Sequence, residues 1–371
     1  MSGPGAPLAG TVVLSVGHTL PGLYCLALLR DLGAEVVRVE RRTRGERESK
    51  YAGVADGFPV RSLTAGTHSV ALDLKSDAGH AAFRKLARAA AAVLEGFRPG
   101  VAARLGIDHA QLRRDHEALV YASLSGYGQQ GAASQRVGHD VNYLAETGVL
   151  GLANPPGLPG ATFADGLAGF AAALNLLAAL HEAARSGRGQ HLDLAIVDGP
   201  LFLMATELEN FWRSGAARGR GESHLTGRHP WYAVHETSDG GAVAVGAVEP
   251  VFFGALCGAI GRPELAERQL AEGEEREQAW AAFRGFFATR TRDQAMAALG
   301  AAEACASPVL STQEVAQSAL MERALRAGGE RGEKLMRSPV RLPLPELPAE
   351  RHGAQLLARF GFTRAEIEAA D

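Results

Sequence analysis

His139 stands in the run RVGHDVNYLAETGVL, where a glycine precedes a His-Asp pair and an amphipathic helical pattern follows. An imidazole with an ordinary pKa of about 6.5 has both protonation states within reach at neutral pH, as two-way proton transfer requires. On spacing alone the same ring could equally satisfy a helix end. Asp165 directly precedes GLAGFAAALNLL and is expected to be the N-cap of that helix. A capping carboxylate has its pKa lowered by the helix dipole and is a weak base unless an apolar pocket pushes the other way. Arg38 in VVRVER and Arg98 in EGFRPG fall at expected strand ends. Guanidinium forks suit phosphates, although arginines are common in this chain and either one also fits a solvated surface.

The elements that would carry these residues alternate along the chain. TVVLSV, a helical run from Gly22 to Leu32, AEVVRVE, SVALDL and a helical run from Ala78 to Ala90 suggest a parallel sheet covered by helices. AVLEGF and LVYASLSGYG add strands, Ala164 to Ala184 reads as a long helix, and HLDLAIVDG is a strand running into another helix. Beyond RSGAARGRGESHLTGR, WYAVHETSDGGAVAVGAVE reads as a hairpin closed at Asp239-Gly240-Gly241, followed by helices near Phe252 to Ile260 and Glu274 to Ala288. The expected fold is therefore α/β, with a large doubly wound parallel-sheet domain over 1–212 and a linker over 213–228. A smaller α+β domain follows over 229–335. A C-terminal segment over 336–371 returns to the large domain, with an extended Pro-rich stretch from Leu342 to Pro348 and a last helix near Glu350 to Phe360.

Composition narrows the function classes. A net charge of −3 and a pI near 6.5 argue against a general nucleic-acid binder and leave room only for a local anion site. Cys25, Cys257 and Cys305 are odd in number and far apart, which fits neither a disulfide framework nor a zinc pattern and suits a reducing cytoplasm. The start of the chain, Met1 to Ala9, lacks the layout of a signal peptide. The most apolar stretch, Gly166 to Leu180, is interrupted by Asn175 and is shorter than a bilayer needs, so a buried helix and no membrane contact are expected. Glu40 ends the second strand, where a nicotinamide enzyme holds a ribose. The turn after the first strand reads SVGHTLPG, however, and lacks the glycines that let backbone approach a pyrophosphate. No P-loop and no GxSxG elbow occur.

Taken together, TVVLSV, LLRDLGAEVVRVER, SVALDLK, VLEGFRPGVAARLGI, YASLSGYGQQG, VGHDVNYLAETGVL, GRGQHLDLAIVDG, AVAVGAVEP and ACASPVLSTQEV resemble the family III CoA-transferases (the CaiB/BaiF-like superfamily). Within them the GHD-NYL segment resembles the histidine-bearing motif of the α-methylacyl-CoA racemases. Transferase members of that family use an aspartyl nucleophile without the histidine. The resemblance implies that His139 and Asp165 are catalytic and that Glu249 in GAVEP supports the histidine. It assigns coenzyme A contacts to Arg38, Arg98, Leu72, Lys75, Tyr127 and Gly128, and places Asp140 and Tyr143 at the thioester. It also implies an interlocked homodimer acting on an acyl-CoA thioester, with no metal and no cofactor beyond the coenzyme A of the substrate.

The expected reaction is inversion of the 2-position of an acyl-CoA through an enolate, with His139 and Asp165 on opposite faces and backbone N–H groups at a helix start as oxyanion donors. The alternatives are a CoA-transferase, in which Asp165 forms an anhydride, and a thioester-binding protein without turnover. The chain departs from the resemblance at TAGTHS, where a basic run is expected before SV-LDLK, and at TGRHPWY, which brings Arg228 and His229 into a D-G-G-A-P-F-Y position. With five methionines the chain is also poorer in that residue than racemases usually are around the acyl chain, which leaves the acyl group open.

Overall fold

The computed structural model describes residues 6–41, 60–326, 334–342 and 346–370. Residues 1–5 of the N-terminal run and 343–345 of the Pro-rich stretch lie outside them. The chain forms two compact units. One comprises Met1–Thr147, Pro159–Leu203 and Glu322–Asp371, and the other Gly148–Leu158 and Met204–Met321.

In the first unit, short apolar runs, the central ones buried on both faces and the last one partly exposed, form a six-stranded parallel sheet. Its strands are β1 (Val12–Val16), β2 (Glu35–Arg41), β3 (His68–Leu72), β4 (Ala92–Glu95), β5 (Val120–Ser125) and β6 (His191–Ala195). They lie in the order β3-β2-β1-β4-β5-β6. The chain therefore builds outward from β1 on one side and then returns to its other side, so the strand order reverses between β1 and β4, where Val16 is in register with Glu95. A crevice opens at the carboxyl ends of the strands at such a point.

Helices cover both faces. Helix α1 (Leu20–Asp31) opens with proline near its N-terminus and buries Cys25, Leu26, Leu28 and Leu29. Helix α2 (Asp77–Ala89) is capped by Ser76, whose hydroxyl accepts from the Gly79 N–H at 3.0 Å, and it turns Phe83 and Leu86 to the sheet. Helix α4 (Phe163–Ser186) follows the short α3 (Asp140–Glu146) and packs on α1. Gly169 permits the close approach, since a Cβ there would stand 2.5 Å from the Cβ of Tyr24. At 24 residues α4 is long and apolar enough to cross a bilayer, so the length argument from sequence does not hold. Its Ala164, Ala168, Ala172 and Leu176 are buried within this unit, while Phe163, Phe170 and Leu174 are exposed. The C-terminal segment joins the same unit: Glu350 accepts from the Gly66 N–H at 3.0 Å, and Leu356 and Leu357 enter the core.

The second unit is built on a three-stranded antiparallel sheet. Strands β7 (Tyr232–Glu236) and β8 (Ala242–Gly246) form the expected hairpin, and β9 (Ala306–Pro308) pairs with β8. Asp239 closes the turn, its carboxylate accepting from the Thr237 hydroxyl at 2.6 Å. Helix α5 (Pro250–Ala259) and the helix Gly273–Ala288 supply Phe253, Leu256, Phe283 and Phe287 to a core around Trp231 and Val243.

Candidate active site

A cavity of about 780 Å³ lies at the carboxyl ends of β1, β4 and β5. His139, Tyr143, Asp165 and Arg98 line it, together with His18, Phe97 and Arg136. His139 and Asp165, 26 positions apart in sequence, thus meet in one space. His139 is the residue before α3 and is exposed. At this helix end the Asn142 side-chain oxygen accepts from the His139 backbone N–H at 2.9 Å, and His139 lines the cavity.

Tyr143 is the pillar of this loop. Its ring is buried, and its hydroxyl donates to the Gly138 carbonyl at 2.8 Å. A Cβ on Gly138 would come within 2.9 Å of that ring and one on Gly126 within 2.6 Å of its hydroxyl, so both glycines are required for the tyrosine to sit between β5 and the histidine. Burial pushes the Tyr143 phenol up to about 12, with Tyr127 and Asp165 adding to the effect, and it stays protonated at neutral pH.

Asp165 differs from its expected place. Helix α4 begins at Phe163 with Thr162 before it, so the carboxylate lies in the first turn and is not the cap. The cap comes from elsewhere: Asp140 Oδ1 accepts from the Asp165 N–H at 3.0 Å. The two carboxyls are thereby held as neighbours. Burial first, and the charge of Asp140 second, push the Asp165 carboxyl up to about 6, against a downward pull from His139. This is the apolar-pocket case, and it overrides the helix dipole. The same bond occupies the Asp165 N–H, so a thioester oxygen could use that donor only in competition with Asp140.

A second cavity of about 670 Å³ lies between the carboxyl ends of β1, β2 and β3. Leu72 and Lys75 line it, with Arg41, Phe97 and His18. Arg38 is not among its lining residues. Strand β2 runs on to Arg41, so Arg38 sits within the strand and not at its end, and Arg41 is the arginine at the carboxyl edge. The Arg38 guanidinium donates to Thr67 Oγ1 at 2.9 Å and pairs with Glu40 at 2.8 Å. The TAGTHS departure is thus largely internal: Ala65, Thr67 and His68 are buried, and His68 Nδ1 accepts from the Arg351 N–H at 3.1 Å.

Tyr127, Gly128 and Glu249 are not among the lining residues of either cavity. The Tyr127 hydroxyl donates to Glu146 at 3.0 Å, while Gly128 adopts a φ of +83° beside Asp193, which accepts from the Gln129 N–H. Glu249 belongs to the second unit, where it is exposed and directly precedes α5. In that unit the other departing segment stacks His229 on His224 and on Trp231 at centroid distances of 5.1 Å each.

Sequence reasoning passed over the wall common to both cavities. Phe97 is fixed by Glu95, whose buried carboxylate accepts from the Phe97 N–H at 2.8 Å, and by Gly17, where a Cβ would strike the Phe97 ring at 2.8 Å. Gly17 has a φ of +69°, a second reason for glycine at that turn. The signal was present in the first βα turn, the usual ligand-binding position of such a sheet.

Residues 8–352 match the family model described as CoA-transferase family III. The chain belongs to that family. This member is 33% identical to the human α-methylacyl-CoA racemase over 97% of the chain and 95% of the relative. It is also 34% identical to the succinyl-CoA–D-citramalate CoA-transferase of Chloroflexus aurantiacus, over 71% of the chain and 67% of that relative. The crystal structure of a CaiB/BaiF family protein from Brucella suis superimposes with a TM-score of 0.79 at 25% identity, covering 96% of this chain and 99% of the other. The parallel sheet and its helices are thus those of the family III fold.

Proposed function

We propose that this family III enzyme is an acyl-CoA racemase of the α-methylacyl type. The observation that carries the reading is the presence of His139 and Asp165 in one cavity, one an imidazole and the other a carboxyl raised to about 6. A proton next to a thioester carbonyl leaves only to a positioned base, and its return to the opposite face needs a second one. A carboxyl poised near 6 exchanges protons with a carbon acid at neutral pH more readily than one at its ordinary value. One residue deprotonates, the enolate forms, and the other residue reprotonates. In this reading Arg98, Lys75 and Arg38 hold the coenzyme A, and Glu249 supports His139 from the partner in a homodimer. A monomer by light scattering would remove the Glu249 part.

The competing transferase reading is favoured by the similarity to the citramalate transferase. In it Asp165 attacks the thioester to form an anhydride, and His139 is incidental. One experiment separates them. A single enantiomer of a 2-methylacyl-CoA incubated with the protein in D₂O should gain α-deuterium and lose optical purity together. Movement of coenzyme A to an added carboxylic acid, without α-exchange and with His139→Ala still active, would establish the transferase instead.

A further inference from the structure

The two cavities share His18 and Phe97 as lining residues, so they adjoin along a wall made by the first βα turn and the β4 loop. Phe97 is immobilised there by Glu95 and Gly17. His18 is the polar member of the wall, and it is incompletely bonded. Its Nδ1 lies 3.4 Å from Ser15 Oγ, a marginal contact, while Nε2 is buried without a hydrogen-bond partner. A buried unpaired ring nitrogen is costly, and in a ligand site it marks a place that a ligand atom can fill.

The ends of the two cavities differ in chemistry. One is lined by Lys75 and Arg41 together with Glu40 and Asp73, the other by His139 and Asp165 together with Arg98 and Arg136. A ligand with an anionic end and a reactive carbonyl end, joined by an arm carrying amides, matches that layout. Burial and the positive charge of Arg38 hold the His18 imidazole down at about 4, against a weak upward pull from the Val39 backbone. It is therefore neutral at pH 7, one nitrogen donating and one accepting, which suits an amide and not a phosphate.

Resting on the reading of this protein as an acyl-CoA enzyme, we propose that His18 binds an amide of the pantetheine arm through Nε2 where the arm passes from one cavity to the other. No reaction step runs through it; its role is to hold the arm in register, so that the thioester is delivered between His139 and Asp165.

The test compares coenzyme A with 3′-phosphoadenosine 5′-diphosphate, which has the same anionic end and no arm, by calorimetry on the full-length protein. In His18→Leu the affinity for coenzyme A should fall by about fivefold to tenfold, the value of one hydrogen bond, while that for the armless nucleotide stays unchanged. His18→Gln, whose amide reaches the Nε2 position, should keep coenzyme A binding within about twofold, and His18→Asn, which reaches only Nδ1, should behave as the leucine variant. The ligand-free leucine variant should be no less heat-stable than the wild type, since it buries one unpaired nitrogen fewer. Equal loss of both ligands, or coenzyme A bound as tightly by His18→Leu as by the wild type, overturns the assignment while leaving the enzyme reading in place. A wild type that binds neither ligand overturns both.

Discussion

The two cavities at the sheet edge are cut from the same strand ends, yet they treat charge in opposite ways. The cavity of β1, β2 and β3 is walled by Leu72, Leu74 and Val101, and its charged groups, Arg41 and Lys75 with Glu40 and Asp73, include an exposed Lys75 whose charge stays in water. The cavity of β1, β4 and β5 holds a half-buried Asp165 beside Asp140, so a negative charge there is kept short of water and next to its like. The first arrangement recognises a charge that is already present on a ligand. The second makes a charge expensive, and a costly charge is one that trades protons. Chemistry is therefore expected at the second cavity and affinity at the first, and that contrast can be tested from both sides.

The largest effect belongs to the bases. His139→Ala and Asp165→Ala should each lower the racemisation rate by about 10²- to 10⁴-fold, measured by polarimetry or chiral separation of the hydrolysed acyl group. Each variant should keep slow solvent exchange on the face served by the surviving base. Coenzyme A affinity should change little in either, because neither residue lies in the cavity of Lys75. Full racemisation by His139→Ala would show that the second cavity does not work as a two-base site.

Next comes stability. The Asp165 carboxyl is raised to about 6, so the folded state binds its proton more tightly than the unfolded chain does. Its favourable contribution is complete below the unfolded pKa and is lost as pH rises through about 6. A rise of about two pKa units corresponds to about 3 kcal/mol of strain carried by the ionised form at neutral pH. Asp165→Asn, which keeps the shape and the N–H held by Asp140, should therefore be inactive but more stable than wild type at pH 7.5 by about 2–3 kcal/mol, with the gap narrowing toward pH 4. Urea midpoints across that range read the difference. A gap that does not change with pH would show that Asp165 carries no buried-charge penalty.

How much of this was legible in the sequence depends on how local each cause is. The six strands, the hairpin at Asp239 and the helix after His139 follow from short apolar runs, a turn pair and a periodic pattern, all local. The start of α4 was not legible, because its cap is Asp140, 25 positions upstream, and no residue beside Asp165 announces it. Arg38 was misplaced for a similar reason. The end of β2 is set by pairing of Glu40 and Arg41 with β3, so the edge position falls to Arg41. The shared wall depends on contacts between Gly17, Phe97 and Glu95, which only the sheet order brings together.

For the basic residues the expected losses are smaller; Lys75 lines the first cavity and Arg98 the second. Lys75→Ala and Arg98→Ala should each weaken coenzyme A by about tenfold, the scale of one charge-assisted phosphate contact, as read by calorimetry. Arg38→Ala should cost less, because its guanidinium is already tied to Thr67 and Glu40. If Arg38→Ala has the largest effect of the three, the arginine leaves those partners to reach the ligand, and the internal reading of TAGTHS fails.

The smallest expected effect is on the acid limb of the rate profile, and it addresses the cause of the contrast directly. Because Asp165 must be ionised to take a proton, kcat/KM for deprotonation on its face should fall as pH drops through about 6. Burial is the main cause of that raised value, and the charge of Asp140 adds to it. Asp140→Asn removes the charge while keeping an oxygen to accept the Asp165 N–H, so α4 keeps its cap and the cavity its shape. The pKa of Asp165 should then move down toward its ordinary value, and the acid limb should shift to lower pH by less than one unit, since burial remains. A limb that stays in place would mean that burial alone sets the poise and that the pairing of the two carboxyls is structural. A limb that moves up would mean that Asp140 is not charged in the working enzyme and that repulsion between like charges does not raise the Asp165 carboxyl.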